Sequence, residues 1–131
     1  MSVFDASFVV EALVGADDLG AAALGRLRDE HNPAAPQILK AETVSAIRSM
    51  AHRGDISESR ARAALDQVRR LAVATYAIEP MMDRIWEMRS SVSVYDAWYV
   101  ALAERLSVTL VTTDRRLAAA NGPRCEIEVV G

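Results

Sequence analysis

The sequence is short of several things, and each shortage excludes a class of protein. A single cysteine, Cys125, stands among 131 residues, so no internal disulfide can form. Proline and glycine number 4 and 6, too few for a collagenous or linker-dominated chain. Apolar residues make up 51% of the chain, yet they never run to the roughly 18 in a row that a membrane span needs. The N-terminus lacks the basic-then-apolar pattern of a secretory leader, and with the lone thiol this sets the expectation of a reducing cytoplasm. Net positive charge is also missing. With a net charge of −3 and a pI near 5.4, any hold on nucleic acid has to be local. Lysine is almost absent: Lys40 is the only one beside 14 arginines, a residue suited to forked phosphate contacts but also one that GC-rich coding enriches.

What is there is an ordinary globular composition, 25% charged, in a length that suits one domain over 1–131 burying about two-thirds of its unfolded surface. SVFD at 2–5 reads as a short strand entering a helix over 6–14 that Gly15 ends. A helix over about 17–30 opens with Asp17 and Asp18, and the Pro-punctuated NPAAPQI holds a very short strand before a helix over 39–53 closed by Gly54. Ser57 caps a helix over 58–72, TYAIE at 75–79 is a strand, and Pro80 starts a helix to about Arg89. Ser93 starts a helix over 94–106. The strand TLVTT, a short helix over 115–120 and the strand CEIEVV complete the chain. β-branched strands separated by helices predict an α/β domain with a mainly parallel sheet covered on both faces. Chemistry in such a fold lies beyond the carboxyl ends of the strands.

Two aspartates fall there, Asp5 after the first strand and Asp114 after LVTT. Each also precedes a helix, and taken singly N-capping is the plainer account of such a residue. Asp96 follows Ser93 by three, the spacing of a capping box, but it borders an apolar stripe of Tyr95, Tyr99, Leu102 and Leu106. Trp98 and the tyrosines suit packing better than base stacking. Glu42 lies beside the stripe of Leu39, Thr43, Ile47 and Met50, where a surface glutamate is the plain alternative. If the four carboxylates converge, each ionised pair within about 6 Å repels by roughly 2–3 kcal/mol, which calls for a counter-charge or raised pKa values. A hard cation such as Mg²⁺ or Mn²⁺, taking oxygen ligands and water, meets that need. The two histidines, His31 and His52, lie far apart near helix ends and are expected to face solvent; metal-free histidine-pair cleavage and a zinc site have little to build on.

VFDASFVVEAL, ILKAETVSAIR, SVYDAWYVALAERL and LVTTDRRLAAA resemble, in order and spacing, the four acidic motifs of PIN-domain ribonucleases. The wording DAS, YDAWYVALAE and TTDRRL is closest to the VapC-type toxins of bacterial toxin–antitoxin pairs, and the likeness spans Val3 to the last strand. The resemblance implies a PIN-like fold with a central parallel sheet of about five short strands, and a metal-dependent endoribonuclease leaving 5′-phosphate and 3′-hydroxyl ends. It implies Asp5, Glu42, Asp96 and Asp114 as ligands of Mg²⁺ or Mn²⁺, with Ser7 and Thr112 orienting them. Ordinary turn and strand-end bonding would explain those two hydroxyls as well. It further implies a cognate antitoxin in a helix-lined groove and a homodimer, for which the Ala-rich stretches 20–27 and 58–72 offer faces that serve equally as core. Where some relatives have one more acidic residue after the fourth motif, this chain has Arg115 and Arg116; with Arg89 these flank the motifs as candidate RNA phosphate contacts. The alternatives are a non-catalytic PIN-like module binding RNA or protein, and a phosphoacceptor receiver domain, whose late lysine this chain does not have.

Overall fold

The computed structural model describes all residues, Met1–Gly131, and its frame is a five-stranded sheet. The strands are β1 (Ser2–Phe4), β2 (Pro33–Pro36), β3 (Ala74–Tyr76), β4 (Thr109–Thr112) and β5 (Ile127–Val129). Their order is β3-β2-β1-β4-β5, every neighbouring pair parallel, as the pattern of strands and helices predicts. The chain steps outward from β1 through β2 to β3, then crosses back to β4 on the other side of β1. That reversal puts the topological switch point between β1 and β4, where α/β sheets open a crevice at their carboxyl edge.

Seven α-helices cover the sheet: α1 (Ala6–Val14), α2 (Asp18–Asp29), α3 (Leu39–Arg53), α4 (Glu58–Arg70), α5 (Met82–Glu87), α6 (Val94–Leu106) and α7 (Arg115–Ala119). α1 to α4 pack on one another, and α5 packs on α6, which lies against β1, β2 and β4. The helix ends follow the signals in the chain. Asp17, Ser57 and Ser93 each cap through the side chain, and Gly54 closes α3 at φ 81, a left-handed conformation that glycine adopts without strain. Gly15 and Gly20 let α1 and α2 meet backbone to backbone; a Cβ on Gly20 would lie 2.5 Å from the Gly15 carbonyl. None of the helices is long and apolar enough to cross a membrane.

Twenty-three buried side chains form the main core around the sheet and α6, and a smaller cluster of six, including Val10, Ile47 and Val68, lies between α1, α3 and α4. α6 is buried on all sides from Ala97 to Ala103 and lies against β1, β2 and β4. Two expectations change here. Tyr95 is not part of a buried stripe: it is 57% exposed, because the core encloses α6 only beyond its first turn, and Leu106 is half-buried. The segment after Pro80 is a 3₁₀ turn over Glu79–Met81 followed by the short α5, rather than one helix to Arg89. In the Ala-rich stretches, Gly20, Ala23, Ala61 and Ala64 face inward as core.

Candidate active site

Asp5 follows β1 directly and is buried, 5% exposed. Its Oδ1 accepts from the Phe8 N–H at 2.9 Å, which caps α1, and from the Ser7 hydroxyl at 2.8 Å. Oδ2 accepts from the Thr112 hydroxyl at 2.5 Å, at the end of β4. Asp5 therefore caps α1 through one oxygen while its carboxylate is fixed at the switch point. Ser7 and Thr112 thus both donate to the Asp5 carboxylate, and Ser7 Oγ also accepts from Thr113 Oγ1 at 3.1 Å. A carboxylate offers about four acceptor positions; three are filled, so Asp5 keeps room for one more partner.

Burial pushes the Asp5 carboxyl above the ordinary aspartate range, the bonds from Thr112, Phe8 and Ser7 pull it back, and the charge of Asp96 adds to the rise. Asp96 is half-buried in the first turn of α6. Burial raises its carboxyl too; the Ser93 hydroxyl and Arg116 oppose the rise and Asp114 reinforces it. The capping box is one-sided: Ser93 Oγ accepts from the Asp96 N–H at 3.2 Å, and no return bond from the Ser93 N–H reaches the carboxylate. Asp114 caps α7 by accepting from the Arg116 N–H at 2.9 Å, while its own N–H donates to Thr112 Oγ1 at 3.0 Å. Thr112 thus ties the first and last acidic residues together. Glu42, in the first turn of α3, accepts from the Tyr99 hydroxyl at 2.7 Å.

Asp5 feels the charge of Asp96, Asp96 that of Asp114, and the Tyr99 phenol those of Glu42, Asp5 and Asp96. Asp96, Asp114 and Arg116 line a cleft of about 310 Å³. No three acidic, histidine or cysteine side chains stand close enough to grip an ion as a finished cage. The donors nevertheless fit a hard cation in kind: all are carboxylate or hydroxyl oxygens, and desolvated carboxylates beside one another carry a charge that a divalent ion relieves. Such ions use few protein oxygens and keep waters. Soft or covalent chemistry has nothing to work with here. His31 and His52 are both exposed, and burial pushes the Cys125 thiol up to about 11, so it stays a protonated, inert group.

The arginines divide. Arg116 is at the cleft, its side chain 96% exposed and its Nε 3.7 Å from Asp114 Oδ1. Arg115 donates to the Gly131 carbonyl, and Arg89 lies over the Trp86 ring and donates to the Trp86 carbonyl, so neither points at the carboxylates as it stands. Sequence reasoning missed Tyr99 as part of the site. Its apolar spacing on α6 signalled only packing, and no local pattern links it to a glutamate 57 residues away.

Comparison with known proteins agrees with the fold. The family model described as PIN domain matches residues 2–123. Ribonuclease VapC1 of Mycobacterium tuberculosis is 44% identical over 129 residues, covering 98% of this chain and 96% of its own. The crystal structure of Mycobacterium tuberculosis VapC20, titled a Sarcin-Ricin loop cleaving toxin, superposes with a TM-score of 0.69 at 16% identity over 91% of this chain and 94% of that one. VapBC2 from Rickettsia felis, bound to a DNA fragment from its promoter, gives 0.69 at 16% identity over 99% and 98%.

Proposed function

Since this chain belongs to the PIN-domain family, among its VapC-type ribonucleases, we propose that it is the endoribonuclease toxin of a toxin–antitoxin pair, hydrolysing RNA phosphodiester bonds with Mg²⁺ or Mn²⁺ held by Asp5, Glu42, Asp96 and Asp114. The observation that carries the reading is the buried Asp5 carboxylate, locked by Ser7, Phe8 and Thr112 at the switch point and raised by burial and by Asp96. A fold gains no stability by desolvating a carboxylate beside another; the arrangement makes sense as a site awaiting positive charge. A cation there would supply an activated water and neutralise charge growing on the phosphoryl and leaving oxygens. The chain's own work is orientation. Ser7 and Thr112 hold the Asp5 oxygens, Thr112 and the start of α7 hold Asp114, and Arg116 stands exposed at the rim where a phosphate would arrive.

Partners belong to the same proposal. The trough between α3 and α4, floored by Ile47 and Ala61 and edged by the exposed Val44 and by Leu65, suits an apolar segment of an antitoxin. Met82 and Trp86, 54% and 63% exposed and four residues apart on α5, suit a second copy of the chain. The absence of a finished carboxylate cage favours one other reading, a PIN-like module that binds without cutting. Incubating purified protein with total RNA separates the two. Cleavage that requires Mg²⁺ or Mn²⁺, stops with chelator and is lost in Asp96→Asn supports the nuclease; intact RNA in every lane leaves the binding module.

A further inference from the structure

Tyr99 has a feature that packing does not need. Its ring is held in the main core, 2% exposed, where phenylalanine would fill the same space without burying an oxygen. The hydroxyl instead reaches from α6 to α3 and donates to Glu42 Oε1 at 2.7 Å. That bond is the sole one from the protein to the Glu42 carboxylate, whereas Asp5 receives three and Asp114 is held by the backbone of α7. Glutamate has one more rotatable bond than aspartate, so an unheld Glu42 would sample several positions at the edge of the cleft.

We propose that Tyr99 is a positioning residue: its hydroxyl fixes one oxygen of Glu42 and so presents the other to the cation-binding mouth. The inference rests on the nuclease reading above and adds to it the device that recruits the second acidic motif. The core immobilises the ring, and the ring immobilises the carboxylate.

The test compares the parent, Tyr99→Phe, Glu42→Gln and the double variant. Each is titrated with Mn²⁺ alone while the melting temperature is followed, and each is assayed for RNA cleavage. Tyr99→Phe is expected to keep a cooperative transition in cation-free buffer, to need roughly tenfold more Mn²⁺ for half of the shift, and to lose kcat with little change in KM. The double variant should respond as Glu42→Gln alone does. If Tyr99→Phe titrates like the parent while Glu42→Gln does not, this proposal is overturned and the nuclease stands. A double variant weaker than Glu42→Gln also overturns it, since Tyr99 would then act by another route. A parent that neither shifts with Mn²⁺ nor cuts RNA removes the nuclease reading and this inference with it. Should Tyr99→Phe lose its cooperative transition, Glu42→Asp draws the carboxylate away from the hydroxyl with the ring intact. It should show the same weakened titration, and parent-like behaviour there counts against the proposal.

Discussion

Thr112 and Asp5 clasp side chain to side chain one step past the last paired residues of β1 and β4, Phe4 and Val111. Thr112→Val keeps the shape and removes the hydroxyl, leaving Asp5 one donor short and the Asp114 N–H without its acceptor. The expected loss is about 1–3 kcal/mol of unfolding free energy in denaturant melts and a 10–100-fold fall in cleavage rate. Thr112→Ser should restore most of both; a Val variant that cuts like the parent would detach Thr112 from the site.

Asp96→Asn should stabilise the cation-free protein at neutral pH. The folded pKa of Asp96 is raised, so the fold favours the protonated acid, and that contribution is present below the ordinary value of 3.8 and lost as pH rises through the folded pKa. Asparagine cannot ionise. The difference in melting temperature between variant and parent should be small near pH 4 and grow in the variant's favour toward pH 7. A difference constant across that range would mean that Asp96 carries no such penalty.

Cation should invert this ranking. A ligand of the native state at a hundredfold excess over its Kd adds about 2.7 kcal/mol, or roughly 10 °C for a chain of this length. The parent is expected to shift with Mg²⁺ or Mn²⁺, and Asp96→Asn is not. Asp5→Asn should lose the response and some stability as well, since an amide offers one acceptor oxygen to three donors. Equal shifts in all three proteins would place the ion elsewhere.

Arg116→Glu should weaken RNA binding and lower the slope of log affinity against log salt by about one, the mark of one lost phosphate contact. Its side chain is almost fully exposed, so the thermal transition should not move. Arg115→Glu and Arg89→Glu serve as comparisons, being engaged with Gly131 and Trp86. An unchanged slope for Arg116→Glu removes it from the interface.

Far from the carboxylates, Arg84 makes a forked pair with Glu104 at 2.7 and 3.1 Å and donates to the Gly122 carbonyl, binding α5, α6 and the loop before β5. Both side chains are mostly buried, and Glu104 also accepts from the Arg124 N–H at 2.7 Å. Arg84→Met should cost roughly 2–4 kcal/mol in denaturant melts, because Glu104 loses its cation, while cation-dependent cleavage per folded molecule is kept. A loss of activity without a loss of stability would contradict this.

Much of the frame was legible in the chain, for local reasons. The helices 6–14, 39–53 and 94–106 begin and end where read, because Asp5, Gly15, Gly54 and Ser93 set their boundaries within a residue of the backbone they cap. Apart from the very short strand read within NPAAPQI, the strands are shorter than read, three or four residues each, since the pairing of neighbours ends them rather than the supply of β-branched residues. Tyr95 was misplaced because spacing gives the faces of a helix and not how far along its length the core extends. In the site, the aspartates at strand ends could be read from topology, but the bond from Tyr99 to Glu42 depends on how α6 and α3 approach across the sheet, which no local pattern encodes. The Arg89 and Arg115 side chains found nearer partners than the cleft for the same reason.

β2 reads Pro33-Ala34-Ala35-Pro36, and its two alanines are fully buried. They alternate faces of the sheet, so this strand, which α6 packs against, offers small side chains to both faces. Small side chains there let the helix carrying Asp96 and Tyr99 lie close to this strand. One extra carbon on this floor would raise the whole shaft and widen the gap to Asp5 and Glu42. Substitution there would shift the candidate site's carboxylates without altering any charge, like a shim slipped beneath a bearing.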